Sequence, residues 1–188
     1  MRSLTCLLIA ALLPALQGCF PIVAVGLGAG ALMGADRRTT GTYFADTAIE
    51  RKAERQIFGQ YKDTVHASVT SFNRHVLITG EAPSVEVKAG IEQIVAGVPK
   101  VKSVSNELVI AGNSRLGSRT NDSLVTSNVK LRFIDNKDFQ PDHVKVVTEN
   151  GTAFLMGLVY RKEAQAAADI ASTTKGVQRV VTIFEYLD

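Results

Sequence analysis

Cysteine is almost missing from this 188-residue chain: the two present, Cys6 and Cys19, both stand near the N-terminus. Beyond Cys19 there is no thiol, so the body of the protein has no disulfide framework, no cysteine-held metal and no thiol nucleophile. Tryptophan is absent. The three histidines, His66, His75 and His143, show no HxxH or HExxH spacing. An excess of charge of either sign is also lacking. The formal net charge is +3, and without Arg2 the balance is 20 basic to 18 acidic residues. That is too mild to argue for a nucleic-acid partner. No serine stands in a nucleophile-elbow context. The close carboxylates, Glu81 with Glu86 and Asp135 with Asp138, fall in loops and turns where solvated charge is the ordinary explanation. No catalytic constellation can be assembled from these residues. The expectation is therefore a non-enzyme with no metal, no cofactor and no small-molecule substrate.

What the chain does have begins at its start. Arg2 precedes an apolar run from Leu4 to Leu16, which closes on Leu16-Gln17-Gly18-Cys19. These read as an n-region, an h-region and a small residue before a cleavage site. A cysteine directly after the cut is the signature of a bacterial lipoprotein, whose thiol takes a diacylglyceryl group and whose freed amine is acylated. Residues 1–18 are thus expected to be a removed signal peptide, with Cys19 the lipid attachment site. The competing accounts are an ordinary secretory signal with a chance cysteine, or an uncleaved membrane helix. Phe20 follows the cysteine, where an aspartate would be the usual signal for inner-membrane retention. Residues 20–34 stay apolar, and Gly26, Gly28 and Gly30 lack the strand, helix and acidic residue that a dinucleotide-binding loop needs. Residues 19–46 read as a lipidated N-terminus and flexible tether.

The remainder carries one pattern twice. A helix over 48–60, capped by Asp46 or Thr47, has Ile49, Ala53 and Ile57 on one stripe. Val65, Ala67 and Val69 alternate as a strand, Asn73-Arg74 turns, and 75–79 forms a second strand ended by Gly80. A helix from Ser84 to Ala96 is closed by Gly97, and a strand runs from Val101 to Ile110. Residues 113–121 lie in a Gly/Ser/Asn-rich linker. The order then repeats. Asp122 or Ser123 caps a helix to about Ile134. Strands 144–148 and 153–156 meet at the hairpin signal Asn150-Gly151. A helix begins at Arg161, and the last strand runs from Arg179 to Leu187. Gly80 and Gly157 are 77 positions apart, as are His66 and His143, while Gly97 and Gly176 are 79 apart, so the copies diverge by short indels. The shared position of His66 and His143 suits a role in the fold better than half of an active site.

This repeat, with Gly80 and Gly157 ending strands and Gly97-Val98 and Gly176-Val177 ending helices, resembles the BON domain. The second copy carries the fullest likeness, in Val144-Lys145-Val146, Thr148-Glu149-Asn150-Gly151, Phe154 to Val159, and Glu163 to Ser172. Two such units behind a lipobox resemble the dual-BON outer-membrane lipoproteins. The resemblance implies an α+β fold of two tandem BON domains, 47–112 and 122–188, each α-β-β-α-β with a three-stranded mixed sheet and two helices. It also implies an outer-membrane-anchored, periplasm-facing protein concerned with envelope integrity and the division site. Its second domain would bind anionic phospholipid.

One difference between the copies bears on that expectation. At 100° per residue, Val125, Val129 and Phe133 form the stripe equivalent to Ile49, Ala53 and Ile57. Leu124, Leu131 and Ile134 form a second apolar stripe, within about 80°, on the far side. The first copy has Ala48, Arg55 and Phe58 there. With Lys130, Arg132 and Lys137 close by, Leu124, Leu131 and Ile134 are the candidate phospholipid-binding residues. The stripe could equally pack on the first domain, or dock an envelope or division protein in a non-enzymatic adaptor.

Overall fold

The computed structural model describes residues 36–111 and 116–188, with residues 116–119 as backbone only. The lipobox, Cys19, residues 20–34 and the start of the 113–121 linker, 113–115, lie outside the described residues. No helix among the described residues is long and apolar enough to cross a membrane.

The first copy consists of α1 (Thr40–Tyr61), β1 (His66–Phe72), β2 (His75–Ala82), α2 (Val85–Ala96), β3 (Ser103–Asn106) and β4 (Val109–Ile110). The second consists of α3 (Leu116–Asp135), β5 (Val144–Glu149), β6 (Thr152–Val159), α4 (Arg161–Ser172) and β7 (Arg179–Tyr186). In each copy a hairpin pairs antiparallel, and the final strand adds parallel to the hairpin's second strand. The α+β expectation, with two helices on a mixed sheet in each copy, is met.

Three boundaries differ from the sequence reading. α1 begins at Thr40, not 48, and is capped by Thr39, whose hydroxyl accepts from Thr42 N–H at 3.2 Å. Its extra turns bury Ala45 and Asp46. A charged residue at an inward position hid the helical period there. α3 likewise begins at Leu116. The strand expected over 101–110 is split, because the chain leaves the ladder after Asn106 and Leu108 turns into the core. The Asn106 amide donates to Lys88 O and Glu92, both at 3.0 Å, and its oxygen accepts from Leu108 N–H.

Asp46 and Asp122 do not cap helices. Both lie inside them, buried, and hold the hairpin of their own copy. Asp46 accepts from the N–H groups of Asn73 (2.9 Å) and Arg74 (2.7 Å), from the Ser71 hydroxyl (2.7 Å) and from Arg38 (2.9 Å). Asp122 accepts from Asn150 and Gly151 N–H, each at 2.9 Å. Both turns place two successive residues at positive φ, the primed geometry that suits a twisted hairpin (51° and 67°; 48° and 70°). A fixed carboxylate in each copy thus ties the first helix to the turn.

Gly80 and Gly157 do not end their strands either. They lie within β2 and β6, opposite Ala67 and Val144. A Cβ on Gly157 would stand 2.5 Å from the carbonyl oxygen of His143, and one on Gly80 would be closer still to that of His66. Gly80 also holds φ at +117°. The equivalent histidines therefore mark where the neighbouring strand's backbone closes tightly on each glycine.

The helices cover one face of each sheet. Ile49, Ala53, Ile57, Ile91 and Val95 pack on Val76 and Ile78 in the first copy, while Val129, Phe133, Ala167 and Ala171 pack on Leu155 and Val159 in the second. The other faces meet: Phe72 and Leu77 join Phe154 and Met156, flanked by Val147, Leu158, Val181 and Ile183. The body is therefore four layers, helices–sheet–sheet–helices, with the two copies back to back. Polar links frame this seam. Lys145 donates to Glu50 at 2.9 Å, Asn150 to Glu81 at 3.2 Å and Asn73 to Glu185 at 2.6 Å.

Candidate functional site

Because the sheets form the seam, the outward side of α3 packs on neither copy. Leu124, Leu131 and Ile134 are 62%, 60% and 64% exposed. The inward stripe, Val125, Val129 and Phe133, is buried as its period requires. Packing against the first domain is thus not what the second stripe does. The three apolar side chains share one outer helix face, which the described residues leave largely uncovered.

The candidate cations are placed differently from one another. Lys130 and Lys137 are exposed. Arg132 turns toward α4, where Nη1 donates to Ile170 O (2.8 Å), Thr173 Oγ1 (3.0 Å) and Thr174 Oγ1 (2.8 Å). It serves the C-terminus of α4, a favourable place for a cation. Asp135 and Asp138 are also exposed at this end of α3. The rim is therefore only mildly basic, and the apolar stripe is its dominant feature.

A second cluster lies where the chain enters α1. Arg37 makes a two-pronged ion pair with Glu163 (2.6 and 2.8 Å), donates to Leu158 O at 3.0 Å and lies over the Tyr160 ring at 4.9 Å. Arg38 pairs with Asp36 and Asp46 and stacks on Phe72 at 4.1 Å. The segment before α1 is thus clasped to the second copy. Sequence reasoning missed this clasp, because Arg37 and Glu163 are 126 positions apart. Burial pushes the Glu163 carboxyl up, but hydrogen bonds from Arg37 and Tyr160 N–H, with the charges of Arg37 and His143, outweigh it and hold the carboxyl below its ordinary value. Asp36 is held low in the same way: burial is outweighed by Arg38. A carboxyl held low binds its proton more readily in the unfolded chain. Its contribution is complete above the ordinary value of 4.5 and is lost as pH falls through the folded value. Melting curves between pH 7 and pH 3 are expected to converge for the wild type and Glu163→Gln at the acid end. Parallel, offset curves would show that the ionised carboxyl adds nothing to the clasp, and coincident curves that the clasp itself contributes nothing.

Among the described residues no group of three or more His, Cys, Asp or Glu could hold a metal ion. A shallow groove between α1 and α2 is lined by Gln56, Gly59, Gln60, Gln93, Ile94 and Gly97, none of them titratable.

The BON domain profile matches residues 45–112 and 121–187. The chain belongs to the BON family. This dual-BON chain is 37% identical over 176 residues to the outer membrane lipoprotein DolP of Haemophilus influenzae, covering 92% of this chain and 91% of that protein. It is 29% identical over 154 residues to a 21 kDa hemolysin of Actinobacillus pleuropneumoniae, covering 81% and 79%. Neither relative is named as an enzyme. Among solved structures, the C-terminal domain of CdsD, a structural protein of the type III secretion system of Chlamydia trachomatis, aligns at 15% identity. That alignment covers 73% of this chain and 96% of that one, with a TM-score of 0.31. The matched BON segments correspond closely to the two helix–sheet units seen here, although each first helix starts a few residues earlier, at Thr40 and Leu116.

Proposed function

We propose that this BON protein is a non-enzymatic, periplasm-facing lipoprotein of the outer membrane, held by acylated Cys19, whose α3 lies on anionic phospholipid. It would thereby maintain outer-membrane integrity, with the division site as the place of action. The observation that carries the reading is the exposed Leu124–Leu131–Ile134 face on a helix whose other side already fills the core. Likeness to an outer membrane lipoprotein over nearly the whole chain supports the compartment. Lys130 and Lys137 would meet headgroup phosphate while the stripe enters the acyl boundary. A face already brought to the membrane by an acyl anchor needs only modest affinity of its own, since tethering raises its effective concentration.

The test uses the mature chain with Cys19→Ser, so that the anchor does not mask weak docking, and vesicles of phosphatidylethanolamine with or without phosphatidylglycerol. Amides 122–138 are expected to gain protection only with phosphatidylglycerol. Leu131→Glu is expected to weaken vesicle binding about tenfold to a hundredfold, the size of one lost leucine burial, with an unchanged circular dichroism melt. Equal binding by Leu131→Glu would overturn the reading. No binding by either protein would favour the adaptor, with the stripe reserved for a protein partner.

A further inference from the structure

The two copies treat their last strand differently. In the first copy the edge is broken into β3 and β4, of four and two residues, by the chain's departure from the ladder after Asn106 and the inward turn of Leu108. In the second, β7 runs eight residues without interruption, in register with β6 from Thr152–Arg179 to Val159–Tyr186. Among the described residues no strand pairs with its outer side. Its sequence, Arg-Val-Val-Thr-Ile-Phe-Glu-Tyr, is strongly β-forming and holds no Pro, no Lys and no bulge. Those are the devices by which edges are usually protected.

The edge is also complementary to itself. Leu187 N–H donates to Val159 O at 3.0 Å. By alternation, the odd residues of β7 bond to β6, and Val180, Thr182 and Phe184 turn N–H and C=O outward. An antiparallel copy centred on Thr182 puts these outward groups opposite one another: Thr182 on Thr182, and Val180 on Phe184. The same register sets Val181 against Ile183, and Arg179 against Glu185 twice over. Arg179 is 62% exposed at its side chain. Asn73, His75 and Lys102 all approach Oε2 of Glu185, which leaves Oε1 for the facing arginine. Shifting the register by two residues keeps the backbone parity but loses both ion pairs.

We infer that β7 is a self-association edge: two copies of this chain pair antiparallel through residues 179–185 with Thr182 on the two-fold axis, making one six-stranded sheet from the two second domains. Such pairing keeps the same face of each sheet up. Both α3 helices then lie on one side of the dimer, and if the lipid reading holds, the pair docks with doubled contact.

The inference is tested on the full lipidated chain in membranes. Thr182→Cys, treated with a short bis-maleimide, is expected to give covalent dimer at least tenfold more than Gln165→Cys, a site exposed on α4. The unmodified chain is expected to give none. Adding Arg179→Glu to Thr182→Cys places like charges opposite and is expected to cut the dimer severalfold. Thr182→Pro removes only an outward donor, so β6–β7 pairing survives, and it is expected to halve the mass of the detergent-extracted protein. Equal cross-linking at 182 and 165 overturns the inference, and dimer unaffected by Arg179→Glu overturns the register. Because the cross-link is read in already anchored protein, it persists in Leu131→Glu even if lipid docking fails.

Discussion

Asp46→Ala lowers the melting temperature by about 10 °C, the largest expected effect of any single side-chain removal outside the apolar core. The carboxylate is buried and receives four donors: two backbone N–H groups of one turn, a serine hydroxyl and an arginine. Alanine leaves those donors facing a cavity with no acceptor, and Arg38 keeps only Asp36. Each buried polar group left unpaired costs about 1–3 kcal/mol, and the breaking of a buried ion pair costs about 3–5 kcal/mol. Relaxation and water entry recover part of this, so about 3–4 kcal/mol is expected. At roughly 2–4 °C per kcal/mol for a chain of this size, the shift is about 10 °C. Asp122→Ala makes the same cut in the second copy but orphans only two N–H groups. About half the loss follows, and thermal unfolding of the two variants side by side decides the matter. Equal losses would mean that Arg38 and Ser71 add nothing to the Asp46 clamp.

Gly80→Ala is expected to be as damaging for a different reason. A methyl group there meets the His66 carbonyl oxygen well inside van der Waals contact, and the backbone sits at φ +117°. The carbonyl belongs to the opposing strand and cannot swing away as a flexible side chain could. Overpacking of about 1–3 kcal/mol and backbone strain of about 1–3 kcal/mol then add. Gly157→Ala has the crowding, at 2.5 Å from His143 O, without the positive φ. Its loss is expected to be about half that of Gly80→Ala. Chemical denaturation of both variants measures the difference. If Gly157→Ala proved the worse, backbone strain at Gly80 would not be part of its cost.

The two variants also show where sequence reasoning reached and where it stopped. Gly80 and Gly157 were visible as a repeated pair, but a sequence displays the glycine and not the carbonyl that approaches it. Asp46 and Asp122 stood next to helix-favouring stretches and read as caps, because their real partners are the hairpin turns 27 and 28 positions on. The core stripes were legible, since 3.6-residue spacing alone fixes which side of α1 and α3 is buried. The exposed face of α3 followed as the complement of that stripe. That the copies pack on one another was expected, but the place of the seam was missed despite a usable signal. Val76-Leu77-Ile78 and Ala153-Phe154-Leu155-Met156 are continuously apolar, whereas a sheet wet on one side would alternate. Those runs say that both faces of β2 and β6 are covered, by helices on one side and the other copy on the other. Arg132 was read for its charge and position. That it would cap α4 depends on a helix 38 positions away.

The back-to-back seam also sets a height. Packed layers are spaced about 10 Å apart, so the axis of α1 stands about 30 Å from that of α3. If α3 rests on a bilayer, α1 is held that far out into the periplasm. Its outermost groups, the exposed Phe44 and Phe58 with Arg51 and Arg55 between them, then face whatever lies above the membrane surface. On that reading the second domain would be the foot, and the first what the protein could lift away from the membrane.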